Sequence, residues 1–147
     1  MTTMCKTQAY DVYLCRHKGW LAGLVRLATR SDWDHICLKR AGEGIFVDFN
    51  FPKGQSILIQ GDVPWELETF VATYDGSGID HSFSEKYSIL FNLNWLFRKW
   101  FRWTPFRGYN CVKFVCIKLG LPPAWAYLSP AELAQELAPY NVRWRIK

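Results

Sequence analysis

The hydrophobic repeat of this chain changes partway along it, and that change limits the fold more than any other feature. From Tyr10 to Arg16 the residues alternate, with Tyr10, Val12 and Leu14 set against Asp11, Tyr13 and Cys15. That is the repeat of a strand with one face in a core. Ile45–Phe51 repeats the pattern and places Ile45, Val47, Phe49 and Phe51 on one side. Shorter β segments are expected at His35–Lys39, Ser56–Gln60 and Glu68–Tyr74. Between them, His17–Gly19 reads as a turn, Trp20–Thr29 as a short helix, and Arg40–Gly44 as a hairpin loop.

Further along, the spacing becomes helical. Helices are predicted over Ser84–Trp103 and Cys111–Leu119, the latter stopped by Gly120 and Pro122–Pro123. Ser129-Pro130-Ala131-Glu132 places a capping serine before a proline and a glutamate, which starts a helix to about Leu137. Strands early and helices late predict an α+β fold, a small antiparallel sheet or barrel packed against helices.

With 147 residues, half of them hydrophobic and 21% charged, the chain suits one domain with a real core and excludes global disorder. It has no internal repeat and no Ser/Gly linker. There is no basic start followed by an apolar stretch, and no uncharged run nears the roughly 20 residues of a spanning helix. A soluble protein, cytoplasmic or virion-associated, is the expectation. The five cysteines Cys5, Cys15, Cys37, Cys111 and Cys116 include no CxxC pair and no metal-ligand spacing. Reduced thiols, no metal and no cofactor are therefore expected. A formal charge of +5 favours an anionic partner without choosing among nucleic acid, membrane and cell-wall polymer.

The most informative local stretch is Arg107-Gly108-Tyr109-Asn110-Cys111-Val112. A glycine-containing loop delivers Cys111 to the first turn of an apolar helix, with Asn110 as cap. There, unpaired N–H groups and the helix dipole favour thiolate over thiol and can receive a developing oxyanion. A buried apolar cysteine is the alternative reading. The base candidates are His17, His35 and His81. His35 enters a strand at a core edge and is the choice; His17 is expected in an exposed turn and His81 in a loop. A third residue must orient the imidazole. Asp48 on the next strand is the choice and Asn50 the reserve.

Taken in order, strand, helix, His strand, Asp strand and a late Cys helix resemble the circularly permuted papain-like branch of the NlpC/P60 superfamily. Tyr10-Asp11-Val12-Tyr13-Leu14-Cys15-Arg16 resembles its opening strand, and Ser31-Asp32-Trp33-Asp34-His35-Ile36-Cys37-Leu38 its histidine motif. Val47-Asp48-Phe49 is similar to the following strand, Asn110–Val115 to the cysteine helix, and Ser129–Leu137 to a common terminal helix. Residues 54–105 match only loosely.

The resemblance implies a thiol hydrolase or acyltransferase that forms an acyl-enzyme on Cys111, with His35 moving the proton and Asp48 orienting it. Asn110, Tyr109, Asn50 and Trp33 are candidates for substrate or oxyanion contact. Substrates of such proteins include cell-wall peptides and, in the lecithin:retinol acyltransferase-like branch, lipid esters and amides; small members occur in bacteriophages. Cleavage of cell-wall peptide amides is the leading expectation. A lipid acyltransferase or thioesterase, and a non-catalytic binding protein on the same scaffold, are the alternatives.

The charge is concentrated: Lys86–Ala131 holds seven Lys/Arg and no Asp or Glu. On a helix, Asn94, Arg98 and Arg102 fall in line, flanked by Leu93, Leu96, Phe97, Trp100, Phe101 and Trp103. Residues 92–107 read as a core helix with snorkelling basic residues, as an interfacial helix on an anionic membrane, or as a wall for substrate or a protein partner. The proposed membrane or partner face comprises Trp95, Arg98, Trp100, Arg102 and Trp103. Sequence-specific nucleic-acid binding is not expected, since no recognition motif accompanies the charge.

Overall fold

A computed structural model describes residues 7–51, 54–77 and 86–138. Five strands, β1 (Thr7–Arg16), β2 (His35–Arg40), β3 (Ile45–Asn50), β4 (Gly54–Ile59) and β5 (Leu67–Ser77), form one sheet. Its order is β4-β3-β2-β1-β5, and every neighbouring pair is antiparallel. Helix α1 (Trp20–Thr29) joins β1 to β2. The later part supplies α2 (Ile89–Asn92), α3 (Asn94–Phe101), α4 (Cys111–Leu119) and α5 (Pro130–Leu137), with a short 3₁₀ helix over Pro123–Tyr127 that the sequence reading lacks. The architecture is α+β, as the change of repeat predicts.

Alternation decides which side chains meet. Tyr10, Val12 and Leu14 of β1, Ile36 and Leu38 of β2, and Val47 and Phe49 of β3 share one core with Val112 and Val115 of α4 and Leu133 and Leu137 of α5. The other face is not simply solvated: Cys15, Cys37, Phe46 and Trp65 form a second, smaller cluster. Cys15, read as part of the outward half of the alternation, is therefore buried, while Asp11 and Tyr13 stay partly exposed. Between Val12 and Tyr13 the pairing with β5 slips by one residue, the signature of a bulge opposite Val71.

Three expectations change. Residues 84–103 are not one helix: Tyr87 bridges to Tyr109, Ser88 has an extended backbone and caps α2, and Leu93 separates α2 from α3. Pairing with the loop before Cys111 takes Tyr87 and Ser88 out of the helical pattern. Phe51 is 50% exposed, because β3 ends at Asn50 before the alternation can carry it inward. Helix α1 buries only Thr29, packs Val25 against the core and leaves Trp20, Leu24 and Leu27 exposed, so most of its apolar stripe does not serve the core. Cys5, His81 and Ser84 lie outside the described residues.

Both ends of the last two helices follow the sequence signals. Asn110 Oδ1 accepts the Lys113 N–H at 2.9 Å, and Gly120 closes α4 in the left-handed region at φ 66°. Ser129 and Glu132 exchange hydrogen bonds in a capping box. Since α5 packs its Leu133 and Leu137 on the core, Ser129→Ala is expected to lower unfolding free energy by about 1 kcal/mol, and Ser129→Asn by clearly less. Urea denaturation of the two variants measures the difference.

Candidate active site

Antiparallel pairing of β2 and β3, with Leu38 opposite Val47, puts His35 and Asp48 near one another at one end of the strands. His35 Nε2 is hydrogen-bonded to Asp48 Oδ1, and both side chains are almost completely buried. Cys111 lies close enough to the His35 ring to act on its charge. With Nε2 engaged by the carboxylate, Nδ1 is the ring nitrogen left for the sulfur. Cys111, His35 and Asp48, chosen from sequence, are thus brought together as a chain of contacts.

The electrostatics of this chain favour a protonated ring. Burial acts against charge on His35, but the Asp48 carboxylate and the Cys111 sulfur together outweigh it and hold the pKa well above that of a free imidazole. The neighbouring thiols face the opposite situation. Burial pushes Cys15 and Cys37 up, helped for Cys15 by the Cys37 thiol at 3.1 Å, and burial beside Cys111 takes Cys116 to about 12.

Helix α4 adds hydrogen-bond donors. Of its first N–H groups, that of Lys113 goes to Asn110 Oδ1 and that of Phe114 to Asn110 O. Those of Cys111 and Val112 meet no acceptor among the described residues, so they can serve a developing oxyanion. Asn110 is not such a donor: it is fully buried, its Oδ1 caps α4 and its Nδ2 binds Asn92 Oδ1 at 2.9 Å. Tyr109 is likewise structural, with its carbonyl held by Ser88 N–H and its ring under Lys113 Nζ at 4.2 Å. Trp33 packs against the main core.

Asn50 is not the orienting residue. Its Nδ2 lies 3.2 Å from His17 Nε2, and His17 is where the sequence reading errs most. The His17 side chain is only 15% exposed, its Nδ1 pairs with Asp34 Oδ2 at 2.8 Å, and its ring packs edge-on to His35 at 5.1 Å. Asp34 also accepts from Arg26 Nη1 at 2.8 Å. The turn is drawn inward because Arg26 of α1 and Asp34 before β2 both hold it, and no local spacing signals a contact so distant in sequence.

A cleft of about 360 Å³ opens onto this site between α1 and the α2–α3 segment. Leu21, Leu24, Val25 and Ala28 line one side and Ile89, Leu93 and Leu96 the other, with His17, His35 and Asn50 among its polar groups. Cys111 is 1% exposed and meets the cleft through His35. Three residues of the stretch predicted as one helix have places inside the fold. Trp95 is buried, lines the cleft, and carries an indole N–H without a hydrogen-bond partner among the described residues. It is therefore no part of an exposed face. Asn94 is fully buried and clamps the Phe106 main chain through both of its side-chain atoms, at 3.0 and 3.1 Å. Tyr87 lines the cleft, receives Asn92 Nδ2 at 2.9 Å, and has its phenol pKa pushed well up by burial and by the Cys111 sulfur.

Gly108 joins this segment to the cysteine. Its φ is 138°, and a Cβ there would lie 2.6 Å from Ser88 Cβ, directly beside the Ser88 N–H to Tyr109 O bond of 2.8 Å. Gly108→Ala is expected to displace Tyr87 and cost on the order of 1–3 kcal/mol of stability, read by thermal unfolding. Cys111 is expected to react with iodoacetamide ahead of Cys15, Cys37 and Cys116. In His35→Ala that rate is expected to fall on the order of tenfold or more at neutral pH; peptide mapping after timed quenching measures both.

No protein-family model, curated protein or solved structure matches the chain, so the resemblance to the permuted NlpC/P60 branch rests on the residues and order of this chain alone.

Proposed function

We propose that this protein is a cysteine acyl-transfer enzyme of permuted papain-like type, a hydrolase or acyltransferase working through Cys111, His35 and Asp48. The observation that carries the reading is the buried contact of His35 with both Asp48 and Cys111, at the start of a helix with unpaired N–H groups. Cys111 Sγ attacks the acyl carbonyl as its proton passes to His35, and the ring returns that proton to the leaving group. The acyl group is then held as a thioester until water or a second nucleophile, deprotonated by His35, releases it and restores the thiol. Asp48 keeps the ring oriented and favours its charged form.

The N–H groups of Cys111 and Val112 stabilise the oxyanion. Trp95 lines the cleft with its indole N–H unpaired among the described residues, which leaves that donor for a substrate carbonyl. The cleft also bears on substrate. Its sides are aliphatic, which suits an apolar acyl group and gives little purchase to a polar cell-wall peptide. A fatty acyl ester, amide or thioester is therefore the substrate class this reading favours. Because Cys111 is so deeply buried, a side chain of the cleft lining must give way before the carbonyl reaches the sulfur.

Incubation with p-nitrophenyl acyl esters of increasing chain length, followed by intact mass and peptide mapping, tests the reading. A long-chain acyl adduct on Cys111 that is absent from Cys111→Ala is expected; no adduct with any chain length overturns it. Trp95→Phe is expected to slow acylation roughly 10- to 100-fold, while iodoacetamide labelling of Cys111 stays near the wild-type rate.

A further inference from the structure

Both rims of the cleft carry an apolar stripe that continues outward from it. On α1, Trp20, Leu24 and Leu27 follow at i, i+4 and i+7, and Leu24 also lines the cleft. Trp20 is 78% exposed and Leu27 76%. On the other rim, Leu93 and Leu96 line the cleft and Trp100 follows them at i+7 and i+4, 69% exposed. Phe101 and Trp103 gather round Phe97, with ring centroids 5.7 and 6.2 Å from it, and remain exposed. So much exposed aromatic and aliphatic surface around one opening marks a contact surface.

The charge around these stripes is mainly basic. Residues 16–31 hold four Lys/Arg and residues 86–131 seven, with no Asp or Glu in either stretch. Lys18 is exposed and lines the cleft, and Lys99, Arg102 and Arg107 are exposed on and beyond α3. Arg16, Arg26 and Arg98 are turned toward Glu66, Asp34 and Glu132, at 3.2, 2.8 and 3.8 Å, so they contribute least. Indole and phenyl rings set among Lys and Arg, with Asp34 of the cleft buried and paired with Arg26, match the headgroup region of an anionic bilayer.

We propose that α1 and the α2–α3 segment dock the protein on an anionic lipid bilayer, with Trp20, Leu27, Trp100 and Trp103 entering the headgroup region and Lys18, Lys99 and Arg102 facing acidic lipids. The cleft mouth then opens toward the lipid, and an apolar acyl group passes to His35 and Cys111 without crossing water. This last step rests on the acyl-transfer reading; docking does not.

Sedimentation with phosphatidylcholine vesicles, with and without phosphatidylserine, tests docking on the full chain. Binding is expected to the phosphatidylserine vesicles, to weaken with salt, and to fall on the order of tenfold or more in Lys99→Glu/Arg102→Glu. Trp20→Ser/Trp100→Ser is expected to lose binding to a similar extent, and circular dichroism reports whether each variant is folded. Cys111→Ala is expected to bind like wild type, which separates docking from the chemistry. No binding to phosphatidylserine vesicles, or equal binding by wild type and both folded double variants, overturns the proposal. So does a dimer in sedimentation velocity that Trp20→Ser/Trp100→Ser dissolves while vesicle binding persists.

Discussion

Placing an imidazole beneath a protein surface disfavours its charged form, and His35 is 2% exposed. The buried ring is nonetheless held toward protonation, because Asp48 sits on one side and Cys111 on the other. That arrangement requires β2 and β3 to keep their pairing, α4 to start at Cys111, and the loop before it to stay fixed. Each requirement has its own support: Leu38 and Val47 in the shared core, Asn110 as cap, and Gly108 against Ser88. Displacing any of the three elements would leave a buried ring with an unmatched partner.

Around that centre the molecule divides its apolar residues between two tasks. One set, from Tyr10 to Leu137, packs the sheet against α4 and α5. Another, on α1 and α2–α3, lines a cleft and continues onto the surface instead of closing over it. His17 stands where the two meet, tied to Asp34 and Asn50 and resting on the His35 ring. Its contacts fix the end of β1 beside His35, which makes it a support for that ring.

Much of this was legible in the residues. The alternation at Tyr10–Arg16, the cap at Asn110 and the box at Ser129 are local signals, and local hydrogen bonding determines their outcome. Cys111, His35 and Asp48 were legible because a helix start and two neighbouring strands carry them. The roles of His17, Tyr87, Asn94 and Trp95 were not, since each depends on partners brought close only by the fold. Asn94 looks like a member of a basic strip until Phe106 returns to meet it, and Trp95 like a surface aromatic until the cleft forms. The pairing of Tyr87 with Tyr109 likewise overrides a helical pattern that the sequence carries without interruption.

The central claim is that His35 is coupled to both Asp48 and Cys111, and titrating its imidazole by nitrogen-detected NMR tests this most directly. In the wild type the ring should remain protonated well above the ~6.5 of a free imidazole. Cys111→Ala and Asp48→Ala should each bring the titration down. A wild-type His35 that loses its proton at or below the free-imidazole value, unchanged in Cys111→Ala, would contradict the account.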